Sequence, residues 1–87
     1  MNRTFTERAW DDFNFWAVEN KKIIKKINQL LDDIERNGHQ GIGQTEPLTG
    51  DLTGWWSKRI DGKNRLVYKI ESDCIVVYQC KEHYGDK

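Results

Sequence analysis

The fold of this chain is decided by residues 55–84, which read WWSKRIDGKNRLVYKIESDCIVVYQCKEHY. Apolar segments alternate there with two turn signals, which predicts three consecutive antiparallel strands. Asp61-Gly62 marks the first turn, because a tight primed hairpin turn needs a positive φ that glycine adopts without steric cost. Ser72-Asp73 marks the second turn. The third strand ends in a titratable pair, His83-Tyr84.

Alternation along these strands predicts which side chains face a core. Leu66, Tyr68 and Ile70 share one face of the middle strand, and Arg65 and Lys69 share the other. The same rule places one residue of Trp55-Trp56 on the core face and one on the open face. The last strand is apolar on both faces around Ile75–Tyr78, which is typical of a central strand.

The segment before these strands predicts two helices. Asn2–Phe5 suits a short first strand, and Thr6 suits the N-cap of a helix from Glu7 to about Val18. Its apolar face is predicted from Ala9, Trp10, Phe13, Val18 and either Phe15 or Trp16. Asn20 caps a second helix, whose apolar residues recur every three or four positions: Ile23, Ile24, Ile27, Leu30, Leu31 and Ile34. Asn37-Gly38 ends it.

These elements predict an α+β fold in one domain spanning residues 1–87. A small antiparallel sheet is expected to carry an N-terminal two-helix hairpin on one face. A coiled coil is the rival interpretation, but the apolar stripe lasts only about two heptads. Cys74 and Cys80 are about 20 Å apart on one predicted strand, too far for a disulfide, so both are expected to be reduced.

The charge distribution indicates a local cationic surface on a neutral protein. The 14 basic and 14 acidic residues cancel, which argues against binding nucleic acid by bulk charge alone. Around the first hairpin, however, a single acid, Asp61, faces five cations: Lys58, Arg59, Lys63, Arg65 and Lys69. The chain shows no signal peptide and no apolar run of membrane-spanning length. We therefore expect a cytoplasmic protein without a membrane partner.

Three residue types suit RNA cleavage without a metal or other cofactor. A carboxylate can take the proton of the 2′-hydroxyl, a histidine can protonate the 5′-oxygen, and an arginine can clamp the phosphorane. Glu46, His83 and Arg65 supply these types, and Pro47 biases Glu46 toward an extended backbone. Tyr84 can position the phosphate, and Trp55 or Trp56 can stack on a base. His39 is expected on a loop surface, and Asp11-Asp12 and Asp32-Asp33 on solvated helix faces.

The whole chain resembles the Txe/YoeB branch of the RelE superfamily of bacterial toxins. The resemblance rests on short motifs that occur in family order from about residue 4 to residue 84: Ala9-Trp10-Asp11-Asp12, Lys25-Lys26-Ile27-Asn28, Glu46-Pro47-Leu48, 52–60, Arg65-Leu66-Val67-Tyr68 and His83-Tyr84.

This resemblance implies a RelE-like, microbial-RNase-like fold. It also implies a ribosome-dependent messenger-RNA endonuclease, the toxin of a type II toxin–antitoxin pair. Such toxins cut the codon in the ribosomal A site and leave a 2′,3′-cyclic phosphate and a 5′-hydroxyl. It implies Glu46 as general base, His83 as general acid, Arg65 as phosphorane clamp and Tyr84 as the residue that orients substrate. An RNA- and ribosome-binding surface is expected from Arg59, Lys58, Lys63 and Trp55. The implied partners are the 70S ribosome, a YefM/Axe-type antitoxin and a second copy of the chain.

Two departures from the family pattern leave alternatives open. Thr49 stands where relatives often carry a basic residue after Glu-Pro-Leu, and Gly85-Asp86-Lys87 follow the tyrosine at which relatives often end. A catalytically weakened toxin is therefore one alternative. The other is a non-catalytic ParE-like toxin that inhibits gyrase with the same fold, although a pure binder does not need the glutamate, arginine and histidine together.

Overall fold

Two helices cover one face of a five-stranded sheet in this computed structural model, which describes residues 1–83. The elements follow the chain in the order β1 (Asn2–Phe5), α1 (Glu7–Glu19), α2 (Lys21–Asn37), β2 (Glu46–Pro47), β3 (Trp56–Arg59), β4 (Arg65–Glu71) and β5 (Cys74–Gln79). Short 3-10 turns lie at Gly38–Gln40 and Gly50–Leu52. The predicted α+β class is confirmed, and so are the three consecutive antiparallel strands.

The sheet is mixed, which corrects the expectation of a fully antiparallel one. Its strand order is β1-β5-β4-β3-β2, so β5 lies inside the sheet as predicted. β1 pairs parallel to β5, with Asn2 opposite Cys74 and Phe5 opposite Val77. Two parallel neighbouring strands need a long crossover connection. Here the connection is residues 6–73, which include both helices and strands β2, β3 and β4.

Polar caps set the limits of both helices at the predicted residues. Thr6 Oγ1 accepts a hydrogen bond from Ala9 N at 3.1 Å, and Asn20 Oδ1 accepts one from Lys22 N at 3.1 Å. The Asn20 N–H also donates to the Trp16 carbonyl, so one residue ends α1 and begins α2. Gly38 closes α2 with a positive φ of 60°, a conformation that glycine adopts without strain.

The core lies between the helices and the sheet. Its α2 members are Ile23, Ile27, Leu30, Leu31 and Ile34, and its strand members include Leu66, Tyr68, Ile75 and Val77. The predicted core face of β4 is confirmed, and so is the predicted α2 stripe except for Ile24, which is half-buried and lies outside the core cluster. Trp56 packs against this core.

The predicted apolar face of α1 is partly wrong. Ala9 is fully buried, and Phe13 and Trp16 pack on the core, because steps of four and three bring them to one side of the helix. Trp10 and Val18 lie off that side and are 53% and 81% exposed. Trp10 instead stacks on Phe13, with ring centroids 6.1 Å apart.

The first hairpin turn is wider than a primed two-residue turn. Arg59 pairs with Arg65, which leaves residues 60–64 as the connection, and Gly62 does not adopt a positive φ. The Asp61 carboxylate organises this turn by accepting from Lys63 N at 2.8 Å and Asn64 N at 2.7 Å. The second turn is confirmed as two residues between Glu71 and Cys74, with Ser72 at φ 52°.

Candidate active site on the open face of the sheet

The face of the sheet that the helices leave uncovered carries two of the four predicted catalytic residues, Glu46 and Arg65. Glu46 pairs with Ser57, and Ser57 pairs with Val67, so the three lie in one row across β2, β3 and β4. Directly paired residues project to the same side. The core takes the alternate residues Trp56, Leu66 and Tyr68, so this row faces away from the helices. The Glu46 side chain is exposed there.

Two arginines lie one step along the same face. Arg59 and Arg65 are paired across β3 and β4, two residues from Ser57 and Val67 and therefore on the same side as Glu46. Two strand spacings and two residues separate the Cα atoms of Glu46 and Arg65, about 12 Å.

The turn at 60–64 fixes the guanidinium of Arg65. Its Nη1 donates to the carbonyl oxygens of Asp61 at 2.8 Å and Asn64 at 3.1 Å. Burial by itself raises the pKa of Asp61, but hydrogen bonds from Lys63 N and from Asn64 outweigh it and hold that pKa below its usual value. The carboxylate therefore stays ionised at neutral pH, and the turn keeps its shape.

The chain after β5 is pinned beside this turn, which brings His83 to it. Arg65 N donates to the Glu82 carbonyl at 3.1 Å, and Glu82 N donates to Asn64 Oδ1 at 2.7 Å. Glu82 adopts a positive φ of 66°, a backbone conformation uncommon for residues other than glycine. His83 follows directly and is half-buried.

Helix α1 supplies the other anchor of this C-terminal segment. Asp12 Oδ2 accepts from Cys80 N at 3.0 Å, and Trp16 Nε1 donates to the Cys80 carbonyl at 2.9 Å. Burial raises the pKa of Asp12, and it raises the pKa of the Cys80 thiol to about 12. Asp12 is therefore a structural acceptor, which corrects the expectation of a solvated carboxylate.

The structure removes one residue from the predicted RNA-binding surface. Lys58 pairs with Leu66, so alternation turns it toward the core, and its side chain is fully buried. Its Nζ donates to the Ile42 carbonyl at 2.8 Å and to Thr45 Oγ1 at 2.6 Å. Burial lowers the pKa of Lys58, against the opposing effect of the Asp33 carboxylate.

The other residues of the predicted RNA-binding surface lie on or beside the open face of the sheet. Lys63 is exposed in the first turn, and Arg59 is exposed at the end of β3. Trp55 lies on the open face with its ring 5.2 Å from Tyr78 and with Lys69 Nζ 4.7 Å from the ring centroid. Trp56 packs on the core, so the two tryptophans divide between the two faces, as alternation predicted. Tyr84 lies outside the described residues.

A buried polar cluster under the loop before Glu46 was not predicted from the sequence. Asp33, expected on a solvated face, is 7% exposed. It accepts from Asn37 Nδ2 at 2.8 Å and from Ile42 N at 2.9 Å, and the bond from Asn37 is the largest cause of its lowered pKa. A Cβ on Gly41 would lie 1.6 Å from Asp33 Oδ2. Gly41 is the one sequence feature that accompanies this buried carboxylate. The reason that a side chain does not fit at position 41 becomes clear only in the folded structure.

His39 also departs from its predicted place on a loop surface. Its ring stacks on Trp56 with centroids 3.9 Å apart, and its Nδ1 lies 2.8 Å from the Tyr68 hydroxyl. Burial, with a smaller effect of Lys58, lowers the pKa of His39. This histidine therefore helps to close the core beside β3.

The part of the chain that the structure describes forms neither a metal site nor a membrane-spanning helix. Within residues 1–83, no three His, Cys, Asp or Glu side chains are grouped closely enough to hold a metal ion. Over the same residues, neither helix has the length and apolar character needed to span a bilayer. Both cysteines are free thiols, as expected.

Comparison with known proteins gives full-length matches. A family model described as a YoeB-like toxin of bacterial type II toxin–antitoxin systems matches residues 5–84. Toxin YoeB of Streptomyces coelicolor is 48% identical over 84 residues, which cover 97% of this chain and all of that relative.

Solved structures of YoeB proteins also match this chain over nearly its whole length. A YoeB/ParE toxin from Agrobacterium tumefaciens superposes with a TM-score of 0.93 at 37% identity, covering 97% of this chain and 100% of that one. In the heterotetrameric YoeB–YefM complex from Staphylococcus aureus, the matching chain gives 0.90 at 44% identity, with 97% and 98% covered. A YoeB dimer from the same species gives 0.91 at 44% identity, with the same coverage. From its sequence and its fold alike, this chain belongs to the YoeB-like toxins of bacterial type II toxin–antitoxin systems.

Proposed function

We propose that this toxin is a ribosome-dependent endoribonuclease that cuts messenger RNA in the ribosomal A site. The observation that carries the proposal is the shared open face of Glu46, Arg59 and Arg65, together with the hydrogen bonds that bring residue 82 to the turn beside Arg65. A carboxylate and two arginines thus share one side of the sheet, and the residue that precedes His83 lies beside one of these arginines, which supports the proposal. A surface that only had to bind a protein would not need this combination.

The proposed reaction is an internal transesterification. Glu46 takes the proton of the 2′-hydroxyl, whose oxygen attacks the adjacent phosphorus. The bond from phosphorus to the 5′-oxygen breaks, and His83 protonates that leaving oxygen. Arg65 stabilises the charge on the phosphorane oxygens through paired hydrogen bonds. The products are a 2′,3′-cyclic phosphate and a 5′-hydroxyl, and no metal enters the scheme.

The remaining open-face residues are assigned to binding. Arg59 and Lys63 contact phosphates, Trp55 offers a stacking surface near the site, and Tyr84 orients the substrate. Lys58 is withdrawn from this set because it is buried. The proposed place of action is the cytoplasm, where ribosomes carry messenger RNA.

A YefM-type antitoxin and a second copy of the chain are the proposed protein partners. The Staphylococcus aureus relative is known in a heterotetrameric complex with YefM and as a dimer. Both relatives match 97% of this chain, so the surfaces that they use have counterparts here.

The test is messenger-RNA cleavage by purified protein with and without ribosomes, with the product ends mapped. The two histidines of the chain make a matched pair. His83→Gln should lower cleavage about 10²–10⁴-fold, the range for loss of a general acid. His39→Gln should retain cleavage and lose stability, because His39 packs on Trp56 and bonds Tyr68.

Ribosome-stimulated cuts that end in a 2′,3′-cyclic phosphate and disappear only in His83→Gln would support the reaction and the acid together. Intact message with wild-type protein would contradict the proposal. Gyrase inhibition would then be measured, since a ParE-like toxin is the competing function.

A further inference from the structure

The outer face of α2 carries cations that form no ion pair with any carboxylate in the described part of the chain, residues 1–83. Lys22, Lys25 and Lys26 line a groove of about 530 Å³ with Arg36, and its other lining residues are Asn28, Gln29 and Asp32. Residues at 22, 25, 26, 29, 32 and 36 form one stripe on a helix. The opposite stripe of α2 is the buried one that packs on the sheet, so this groove faces away from the molecule.

The carboxylates of α2 are engaged elsewhere, which leaves the lysines uncompensated. Asp32 and Glu35 bind Arg3 at 2.7 and 2.6 Å, and Glu35 also binds the N-terminal ammonium at 3.2 Å. Asp33 turns inward to Asn37 and Ile42. Among residues 1–83, no carboxylate lies within ion-pair distance of the groove's lysines or of Arg36. A formally neutral chain therefore exposes a cluster of four cations on this helix.

This cluster and the candidate active site lie on opposite sides of the sheet. Glu46, Arg59 and Arg65 project from the open face, whereas α2 packs against the other face. The Cα atoms span 31 × 30 × 23 Å, so a flexible single strand bound at the open face does not reach the groove by a short path. A large, folded RNA that surrounds the protein contacts both sides at once.

We propose that the outer face of α2 is a second RNA-docking surface, which binds the phosphate backbone of ribosomal RNA while the open sheet face holds the message. The inference rests on the proposed ribosome-dependent function and adds a physical origin for the dependence. Lysines that lack internal partners gain most from a polyanion, because neutralised phosphates release their counterions. Binding at two opposite faces makes the folded ribosomal RNA a better partner than free message.

The experiment measures binding and does not require cleavage. The parent is the His83→Gln protein, and its affinity for purified ribosomes is measured by co-sedimentation over a series of salt concentrations. The test variant adds Lys22→Gln, Lys25→Gln and Lys26→Gln. The matched control adds Asn14→Glu, Ala17→Glu and Val18→Glu on exposed positions of α1. Both triple variants change the net charge by the same amount and use good helix formers.

The glutamine variant should bind at least about tenfold more weakly at low salt, and the slope of log affinity against log salt should fall by about 2–3, since each phosphate contact contributes about 0.7–0.9. The α1 control should match the parent, and arginine at the same three lysine positions should restore binding. Equal affinity and slope for the glutamine variant and the parent would overturn the inference, as would a parent that does not bind ribosomes.

Two further outcomes distinguish ribosomal-RNA docking from antitoxin binding at α2 and from the proposed cleavage reaction. If the glutamine variant loses binding to a YefM-type antitoxin but keeps ribosome binding, the α2 face belongs to the antitoxin and the inference is wrong. If wild-type protein cuts no message while ribosome binding still depends on the three lysines, the docking surface stands and only the proposed reaction fails.

Discussion

Individual residues of the same type have opposite roles in this chain, and their surroundings decide which. Lys58 and Lys63 lie five residues apart, yet the first is fully buried on carbonyl and hydroxyl oxygens and the second is exposed in a turn. His39 packs on Trp56, whereas His83 follows a segment pinned beside Arg65. Substituting each member of such a pair in turn distinguishes an effect on RNA cleavage from an effect on the free energy of unfolding.

At the residue scale, Glu46→Gln is predicted to abolish most of the cleavage without loss of stability. The amide keeps the shape of the side chain but does not accept the 2′-hydroxyl proton, so cleavage should fall about 10²–10⁴-fold. Glu46 is exposed, so the free energy of unfolding should change by less than about 0.5 kcal/mol. Single-turnover cleavage on ribosomes and urea denaturation measure the two effects.

Asp51→Asn is the matched control for this prediction. Asp51 is an exposed carboxylate on the connection between β2 and β3, a few residues after Glu46. It should cleave like wild type. Equal rates for Glu46→Gln and Asp51→Asn would remove Glu46 from the proposed mechanism.

At the element scale, β2 is a two-residue edge strand and depends on the loop before it. Glu46 and Pro47 pair only with Ser57 and Trp56. The preceding loop is tied to Lys58 through Ile42 and Thr45, and the Gly43 carbonyl also accepts a bond from Arg59 N. The position of the proposed base therefore rests on buried polar contacts rather than on the strand itself.

Thr45→Val is predicted to weaken this anchor and to lower cleavage together. It removes one hydrogen-bond acceptor of the buried Lys58 ammonium, which costs about 1–3 kcal/mol, and a shift of Glu46 by about 1 Å lowers the rate up to about 10²-fold. The loss should appear in kcat at saturating ribosomes, with KM little changed, because the phosphate-binding arginines are untouched.

Thr45→Ser keeps the hydroxyl and should restore both stability and kcat. Urea denaturation and steady-state cleavage provide the readouts. If valine and serine at position 45 gave the same kcat, the loop anchor would have no part in placing Glu46.

At the scale of the whole molecule, stability should fall in two steps as pH decreases. Burial lowers the pKa of His39 below its ordinary 6.5, so the folded protein binds this proton less readily than the unfolded chain. Stability is then full above about pH 6.5 and declines as pH falls through the lowered value. Depressed pKa values of Asp33, Glu35 and Asp61 produce the second decline, which begins near their ordinary values of 3.8 to 4.5.

The urea midpoint measured from pH 8 to pH 3 tests both steps. His39→Gln should lose the first decline and keep the second, because it removes the imidazole whose pKa burial lowers and leaves the three carboxylates in place. A first decline that survives in His39→Gln would assign it to another group.

Local sequence patterns were enough to predict the secondary structure and the order of the elements. The caps at Thr6, Asn20 and Gly38 and the stripe of α2 depend on neighbours within a few residues, so periodicity and capping chemistry predicted them. Alternation assigned Trp55 and Trp56 to opposite faces for the same reason. The family resemblance, carried by motifs along the whole chain, identified the toxin family.

The remaining features depend on contacts between residues that are distant in sequence, and these contacts form only in the folded chain. The parallel pairing of β1 with β5, the burial of Lys58 and Asp33, and the stacking of His39 on Trp56 each join segments that no local pattern connects. The width of the 60–64 turn was set by the Asp61 carboxylate, which competed with the primed turn that Asp-Gly favours. A buried charge or ring is stable only where its partners are supplied, and the fold supplies them here from α2, the loop before β2 and β3.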